Sequence, residues 1–233
     1  APPEPLPAGQ SFLIKAQVHH LFGDPARGLK IKGKVRYSAV RFAPKEWQSF
    51  TFGDERQSLS NRSVSLKEMV LDDTGEAQFE VKPPSLDTPA AISMSAEIEV
   101  RESGGRALAE QITRRLDPWQ FYLGLKLPDT EVKPREIAPF DLIAARPDGA
   151  VHAPKVSWQA TLYAVSYSNV LRRISDGRLA YDWTRQETEE SRQKGEFEGG
   201  GAQLQFAPQR PGPYRLVVEA ENGCAVTRDF YVT

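Results

Sequence analysis

Two runs of strict alternation, joined by a turn, constrain this chain more than any other feature. Phe12, Ile14, Ala16 and Val18 alternate with Leu13, Lys15, Gln17 and His19. Leu29, Ile31, Gly33, Val35 and Tyr37 alternate with Lys30, Lys32, Lys34 and Arg36. A period of two sends successive side chains to opposite faces, which is how a strand with one buried face reads. In the second run the other face must be solvated, because four cations at alternate positions cannot be buried unpaired. The intervening Leu21-Phe22-Gly23-Asp24-Pro25-Ala26-Arg27-Gly28 is rich in the residues that supply the backbone angles of a reversal. Two amphipathic strands joined this way need a second sheet over their apolar faces. The first half is therefore expected to be a β-sandwich.

The rest of the chain continues the pattern. Glu46 to Phe52 reads as a third strand closed by Gly53-Asp54, and Ser63 to Met69 as a fourth. Asp72-Asp73-Thr74-Gly75 turns into Ala77, Phe79 and Val81, Ile92 to Arg101 alternates cleanly, and Gly104-Gly105 leads into Ala107 to Leu116. That makes about seven short strands in one half, the number a sandwich needs. Asp117-Pro118 marks a boundary. Beyond it, Trp119 to Leu127, Phe140 to Ala144, Lys155 to Leu171, Leu204 to Ala207, Tyr214 to Ala220 and Ala225 to Val232 read as strands. Lys155 to Leu171 is long for one strand, so a bulge or bend is expected near Ser166 to Asn169. Helical periodicity is nowhere sustained, so any helix would be short, with Gln186 to Lys194 the stretch best suited to one. The reading is all-β. Residues 1–10 form a Pro-rich linker, 11–116 one antiparallel sandwich, and 117–233 a second, with a charged insertion at 172–201.

Composition excludes several classes of function. The 30 basic and 31 acidic residues nearly cancel, so no global field favours nucleic acid or an anionic membrane. No apolar run approaches the ~20 residues that cross a bilayer, so membrane attachment would need an anchor outside this stretch. A chain opening on a Pro-rich linker is expected to be a piece of a longer protein. The single cysteine, Cys224, excludes an internal disulfide. Of three histidines, His19 and His20 are adjacent on a predicted strand and point to opposite faces, while His152 sits beside a turn. No metal-ligand spacing appears, and no metal or cofactor is expected. No nucleophile elbow, phosphate loop or zincin motif is present either. Trp47, Phe50 and Phe52, or Trp119, Phe121 and Tyr122, could line a sugar-binding face, but aromatics at alternate positions of a sandwich are expected in the core. No enzyme is expected.

Several phrases, in this order, resemble the bacterial alpha-2-macroglobulins. Leu21-Phe22-Gly23-Asp24-Pro25-Ala26-Arg27-Gly28-Leu29 is similar to that family's Leu-Phe/Tyr-Gly-x-Pro-Ala-x-Gly-Leu. It is followed by Phe50-Thr51-Phe52-Gly53-Asp54, Leu71 to Ala77, Glu102 to Arg106, Tyr122-Leu123-Gly124-Leu125, Asp148-Gly149 and Gly212-Pro213-Tyr214-Arg215-Leu216. The resemblance implies two tandem macroglobulin-like sandwiches from the scaffold of a periplasmic, broad-range protease inhibitor. Such a protein traps proteases after cleavage of a bait segment. Its implied partners are other macroglobulin-like domains of the same polypeptide and, through the full-length protein, target proteases. Cys224 lacks the Cys-Gly-Glu-Gln context of the family's thioester and is read as a small residue near the start of the last strand. Arg172, Arg173, Arg178, Arg185, Arg192 and Lys194 form a stretch suited to trypsin-like cleavage. The family's bait follows a Val-Asp-x-x-Leu phrase that this chain lacks, so the stretch is read as a long hairpin or insertion. The rival reading is a tandem sandwich that binds a glycan or a protein partner.

Overall fold

In the computed structural model, residues 6–7, 11–57, 60–83, 90–102, 104–173 and 178–233 are described. Most of the expected linker 1–10 lies outside them, as do residues 174–177 of the charged segment. Fifteen strands run through the described residues. The first eight are β1 (Leu6–Pro7), β2 (Phe12–Gln17), β3 (Lys30–Val40), β4 (Thr51–Phe52), β5 (Arg62–Val70), β6 (Glu76–Val81), β7 (Ala91–Arg101) and β8 (Ala107–Asp117). The others are β9 (Tyr122–Lys126), β10 (Ala138–Ala145), β11 (Val156–Arg173), β12 (Leu179–Phe197), β13 (Gly201–Phe206), β14 (Gly212–Ala220) and β15 (Ala225–Val232). A 3-10 turn at Lys45–Trp47 is the one helical element among the described residues.

The strands gather into two compact units, each fed by two stretches of chain. The first takes Ala1–Arg41 and Gln57–Trp119, the second Phe42–Arg56 and Gln120–Thr233.

In the first unit a five-stranded sheet, ordered β1-β8-β7-β3-β5, faces the two-stranded sheet β2-β6. The alternation of β3 settles its faces. Ile31, Val35 and Tyr37 are fully buried against Ile92, Met94 and Ala96 of β7, with Ile14, Phe79 and Val81 from the small sheet closing the core. On the solvated face Lys30 pairs with Glu68 at 3.1 Å, Lys32 with Glu99 at 3.2 Å, and Arg36 with Glu97 at 3.8 Å. These exposed cross-strand pairs each contribute little to stability, but their alternation favours one register. The turn between β2 and β3 folds back on the β5–β6 hairpin. Ala26 is buried, its N–H donating to Val18 O at 3.0 Å. Gly75 sits beneath it at φ +74°, where a Cβ would meet Val18 O at 2.5 Å. Only glycine fits both the angle and the space. His19 and His20 lie beyond the end of β2, in this turn, and are both exposed, so the strand expected to carry them ends before they are reached.

The second unit stacks sheet β13-β10-β9-β4 on sheet β12-β11-β14-β15. Phe140, Phe206, Tyr214, Leu216 and Val218 fill the space between the sheets. The stretch Glu46 to Phe52 is not a third strand of the first unit. Residues 45–47 form the 3-10 turn, and the two-residue β4 pairs Thr51 with Leu125 and Phe52 with Gly124 of β9. Aromatic packing decides this placement. Phe42 stacks on Tyr122 with ring centroids 4.3 Å apart and meets Phe52 edge-on at 4.9 Å. Trp47 donates from Nε1 to Gly149 O at 2.9 Å. Gly124 leaves room for the Phe52 ring, since a Cβ there would lie 2.6 Å from Phe52 Cε1.

Candidate functional site

The charged segment is the part of the chain to which sequence reasoning assigned a possible role, and the structure makes it a strand. β12 pairs antiparallel with β11 along its whole length, from Val156↔Phe197 to Arg173↔Leu179. Gln186 to Lys194, the stretch best suited to a short helix, is therefore strand. Neighbouring charges there alternate across a ladder and do not follow a helical stripe. The expected bulge also moves. The register slips between Leu162 and Tyr163, where Glu190 of β12 is the extra residue, and β11 stays regular through Ser166 to Asn169. Glu190 uses this position to accept hydrogen bonds from Tyr214 Oη at 2.9 Å and from the Gln209 N–H at 3.0 Å.

β12 lies at the edge of its sheet. Charged, twisted edges resist pairing with foreign strands, which accounts for so polar a strand in a packed domain. β14 pairs with β11 only over Trp158 to Ala164. Farther out, β11 and β12 pair only with each other among the described residues, as a two-stranded arm. Tyr167, Leu171, Tyr181 and Trp183 occupy one face of this arm, each at least half exposed.

At the base of the arm four charged side chains close an alternating ring. Arg215 of β14 donates from Nε and Nη2 to Asp229 at 2.6 and 2.9 Å, and from Nη1 to Glu187 at 2.9 Å. Arg185 of β12 donates to Asp229 at 2.8 and 3.1 Å and to the same Glu187 oxygen at 2.9 Å. Desolvation works to raise the Asp229 pKa, but the paired guanidinium hydrogen bonds outweigh it and hold the carboxyl at about 2. Such two-pronged arginine contacts are stronger and more directional than single ones. The ring ties β12 to β14 and β15 and keeps Asp229 ionised at neutral pH, so it offers charge and rigidity.

The six residues suited to tryptic cleavage are thus divided by the ladder. Arg172 and Arg173 end β11, and Arg178 is exposed just ahead of β12. Arg185 is held in the ring, Arg192 bonds Glu189, and Lys194 lies opposite Gln159 in the ladder. Elsewhere the chemistry is quiet. Cys224 is buried, and desolvation pushes its thiol up to about 12, so it stays protonated and unreactive at neutral pH. His152 packs against the Phe121 ring at 4.5 Å, and burial, helped by Arg146, lowers its pKa. Phe52, Phe121 and Tyr122 are buried, while Trp47, Phe50 and Trp119 are half-buried, so these aromatics serve packing. Among the described residues no group of three or more His, Cys, Asp or Glu could hold a metal ion. The ring was missed at the sequence level because Arg215 and Asp229 become neighbours of Arg185 only once four strands, β12, β11, β14 and β15, are paired.

Two antiparallel sandwiches in tandem define a macroglobulin-like pair of domains. The family model of the bacterial alpha-2-macroglobulin MG5 domain matches residues 1–118, and that of bacterial macroglobulin domain 6 matches residues 124–232. The chain belongs to the bacterial alpha-2-macroglobulin family. The alpha-2-macroglobulin of Escherichia coli strain K12 is 23% identical over 108 residues, 46% of this chain and 6% of that protein. The native conformation of the E. coli protein superposes with a TM-score of 0.71 at 20% identity, covering 99% of this chain and 15% of that one. Salmonella alpha-2-macroglobulin reacted with methylamine gives 0.69 at 20% identity, over 98% of this chain and 16% of that one. E. coli alpha-2-macroglobulin activated by porcine elastase gives 0.71 at 20% identity, over 98% and 21% respectively. The chain therefore spans about a sixth of the native protein it matches.

Proposed function

We propose that these two domains are framework from a periplasmic alpha-2-macroglobulin, a broad-range inhibitor that traps proteases after its bait is cut. The observation that carries this reading is the match of consecutive family domains to consecutive halves of the chain. In this reading the domains supply rigid spacing and contacts to neighbouring domains of the same polypeptide, and no catalytic residue. Rigidity has a visible source in the ring of Arg185, Glu187, Arg215 and Asp229 and in the aromatic seat of Phe42 and Phe52. Membrane attachment, where it occurs, belongs to sequence outside these domains. The test compares this chain with the longer protein that contains it, each incubated with elastase or trypsin. The longer protein should retain the protease in a complex that shields it from large substrates, and the 233-residue chain should leave the protease fully active. Stoichiometric inhibition by this chain alone would overturn the reading.

A further inference from the structure

Beyond the reach of β14, the β11–β12 arm presents one face rich in exposed aromatic side chains. Across the ladder Tyr167 pairs with Arg185, Asn169 with Trp183, and Leu171 with Tyr181. Directly opposite residues, and residues two apart along a strand, share a face, so these six side chains form one surface. Trp183 and Tyr181 are 63% and 65% exposed, and Tyr167 and Leu171 are at least half exposed. Successive rows lie about 7 Å apart, which makes the stripe from Tyr167 to Leu171 roughly 14 Å long and two strands wide.

Charge and size say what this surface fits. Arg185 is the one charged residue among the six, and it is spoken for by Glu187 and Asp229. Asn169 is an exposed amide, able both to donate and to accept. A face without a free charge offers nothing to nucleic acid, to anionic lipid or to a strongly charged protein. Its four large side chains, each a half to two-thirds exposed, amount to roughly 400–500 Å² of surface. A stable dimer or protein complex takes about 800 Å² from each partner, yet soluble monomers rarely leave a contiguous patch of this size without a use. The fit is to a small uncharged ligand, long rather than round. A β-linked oligosaccharide has that form. Its sugar rings turn faces covered in C–H groups outward, and these rest on the electron-rich faces of Trp and Tyr rings. Asn169 and Leu171 on β11 set an amide beside an apolar side chain, and an acetamido group offers the same two things in return, an amide and a methyl.

We propose that the aromatic face of the arm is a binding site for an unbranched, uncharged, β-linked N-acetylhexosamine chain. Trp183 and Tyr181 are its stacking platforms, Tyr167 extends them toward the sandwich, and Asn169 supplies hydrogen bonds to the acetamido groups. The ionic ring holds the platform at its base, since Arg185 lies opposite Tyr167 and is bonded to Asp229 of β15. This binding needs neither a bait nor a captured protease, so its failure would leave the inhibitor reading untouched.

Titration calorimetry of the 233-residue chain with a β-linked N-acetylglucosamine hexamer should show saturable binding. Trp183→Ala and Tyr181→Ala should each weaken it by about tenfold or more, the loss that follows truncation of an aromatic anchor. Tyr181→Phe keeps the ring and should retain most of the affinity. Lys34→Ala, at an exposed position of the first unit, should change nothing. The thermal midpoints of these variants should match that of the native chain, because the side chains are exposed, so lost binding would not be lost folding. A glucose hexamer of the same linkage should bind more weakly, and Asn169→Ala should remove that preference. Absence of binding at millimolar sugar, binding that survives Trp183→Ala, equal affinity for the glucose hexamer, or a preference for a sulfated chain would overturn the proposal. So would self-association of the native chain that Trp183→Ala abolishes, which would give the face to a second copy. A peptide that slows amide exchange along the edge of β11 left unpaired by β14 would overturn it too, in favour of an added strand.

Discussion

Asp229 shows how one side chain ties three strands together. Its two oxygens accept from both Arg215 and Arg185, and its pKa is depressed to about 2. A carboxyl depressed in the folded state adds stability above its unfolded pKa of roughly 3.9 and loses it as pH falls through the folded value. The thermal midpoint should therefore drop between pH 5 and pH 2 by more in the native chain than in Asp229→Asn, which has no proton to gain there. Arg215 is the most buried member of the ring. Its removal leaves Glu187 and Asp229 sharing one cation, so Arg215→Ala should cost roughly 1.5–3 kcal/mol in urea unfolding. Gly124 tests packing instead. A Cβ there meets Phe52 at 2.6 Å and Ile143 at 3.0 Å, and Gly124→Val should destabilise by about 1–3 kcal/mol through overpacking. Pairing it with Phe52→Ala should recover part of that loss.

At the scale of the element, the β11–β12 hairpin is the least ordinary feature. Its outer half has solvent on both faces and is held by its ladder and by the ring at its base. Proteases need an extended, locally released backbone, and strand backbone in a ladder resists them. Brief trypsin digestion should therefore cut after the exposed Arg178, outside the ladder, well before Arg185, Arg192 or Lys194, as mass spectrometry would read directly. The two products should stay together on a native gel, since β11 and β13 remain in one sandwich. Early cutting at Arg192 would show that the edge strand opens in solution. The aromatic face of the arm makes a separate prediction. Trp183 is 63% exposed and lies beyond the reach of β14, so Trp183→Ser should change stability by no more than about 0.5 kcal/mol.

For the whole molecule, the division of the chain matters more than the number of strands. The second unit borrows Phe42–Arg56 from the middle of the stretch matched to the first domain. A cut at the apparent boundary near Asp117 would strip it of Phe42 and Phe52, each worth about 1.5–3 kcal/mol of burial. A chain of residues 117–233 alone should thus melt lower than the intact second unit, and a peptide of residues 42–56 added in trans should raise its midpoint. That stabilisation should grow with peptide concentration, reaching about 2.7 kcal/mol at a hundredfold excess over Kd. A peptide without effect would mean that the borrowed segment is dispensable.

Much of this was legible in the sequence. The faces of β2, β3 and β7 follow from alternation at Ile14, Val35 and Ala96, because side chains change sides at every residue of a strand whatever its partner. The turns at Asp72 to Gly75 and Pro147 to Gly149, and the place of Cys224 just ahead of the last strand, follow from equally local chemistry. Partners are another matter, because they are chosen by packing between residues far apart in the chain. Glu46 to Phe52 is aromatic enough to be a strand anywhere, and only the stack of Phe42 on Tyr122 and the gap at Gly124 assign it to the second unit. The acidic and basic run from Gln186 to Lys194 carries no strand pattern of its own and becomes β12 because β11 is long enough to template it. Its charges stay unassigned until Arg215 and Asp229 arrive from two later strands. Local alternation determined which side of each strand is buried, and tertiary packing alone decided against what, since pairing energy depends on surfaces that exist only after the chain has folded.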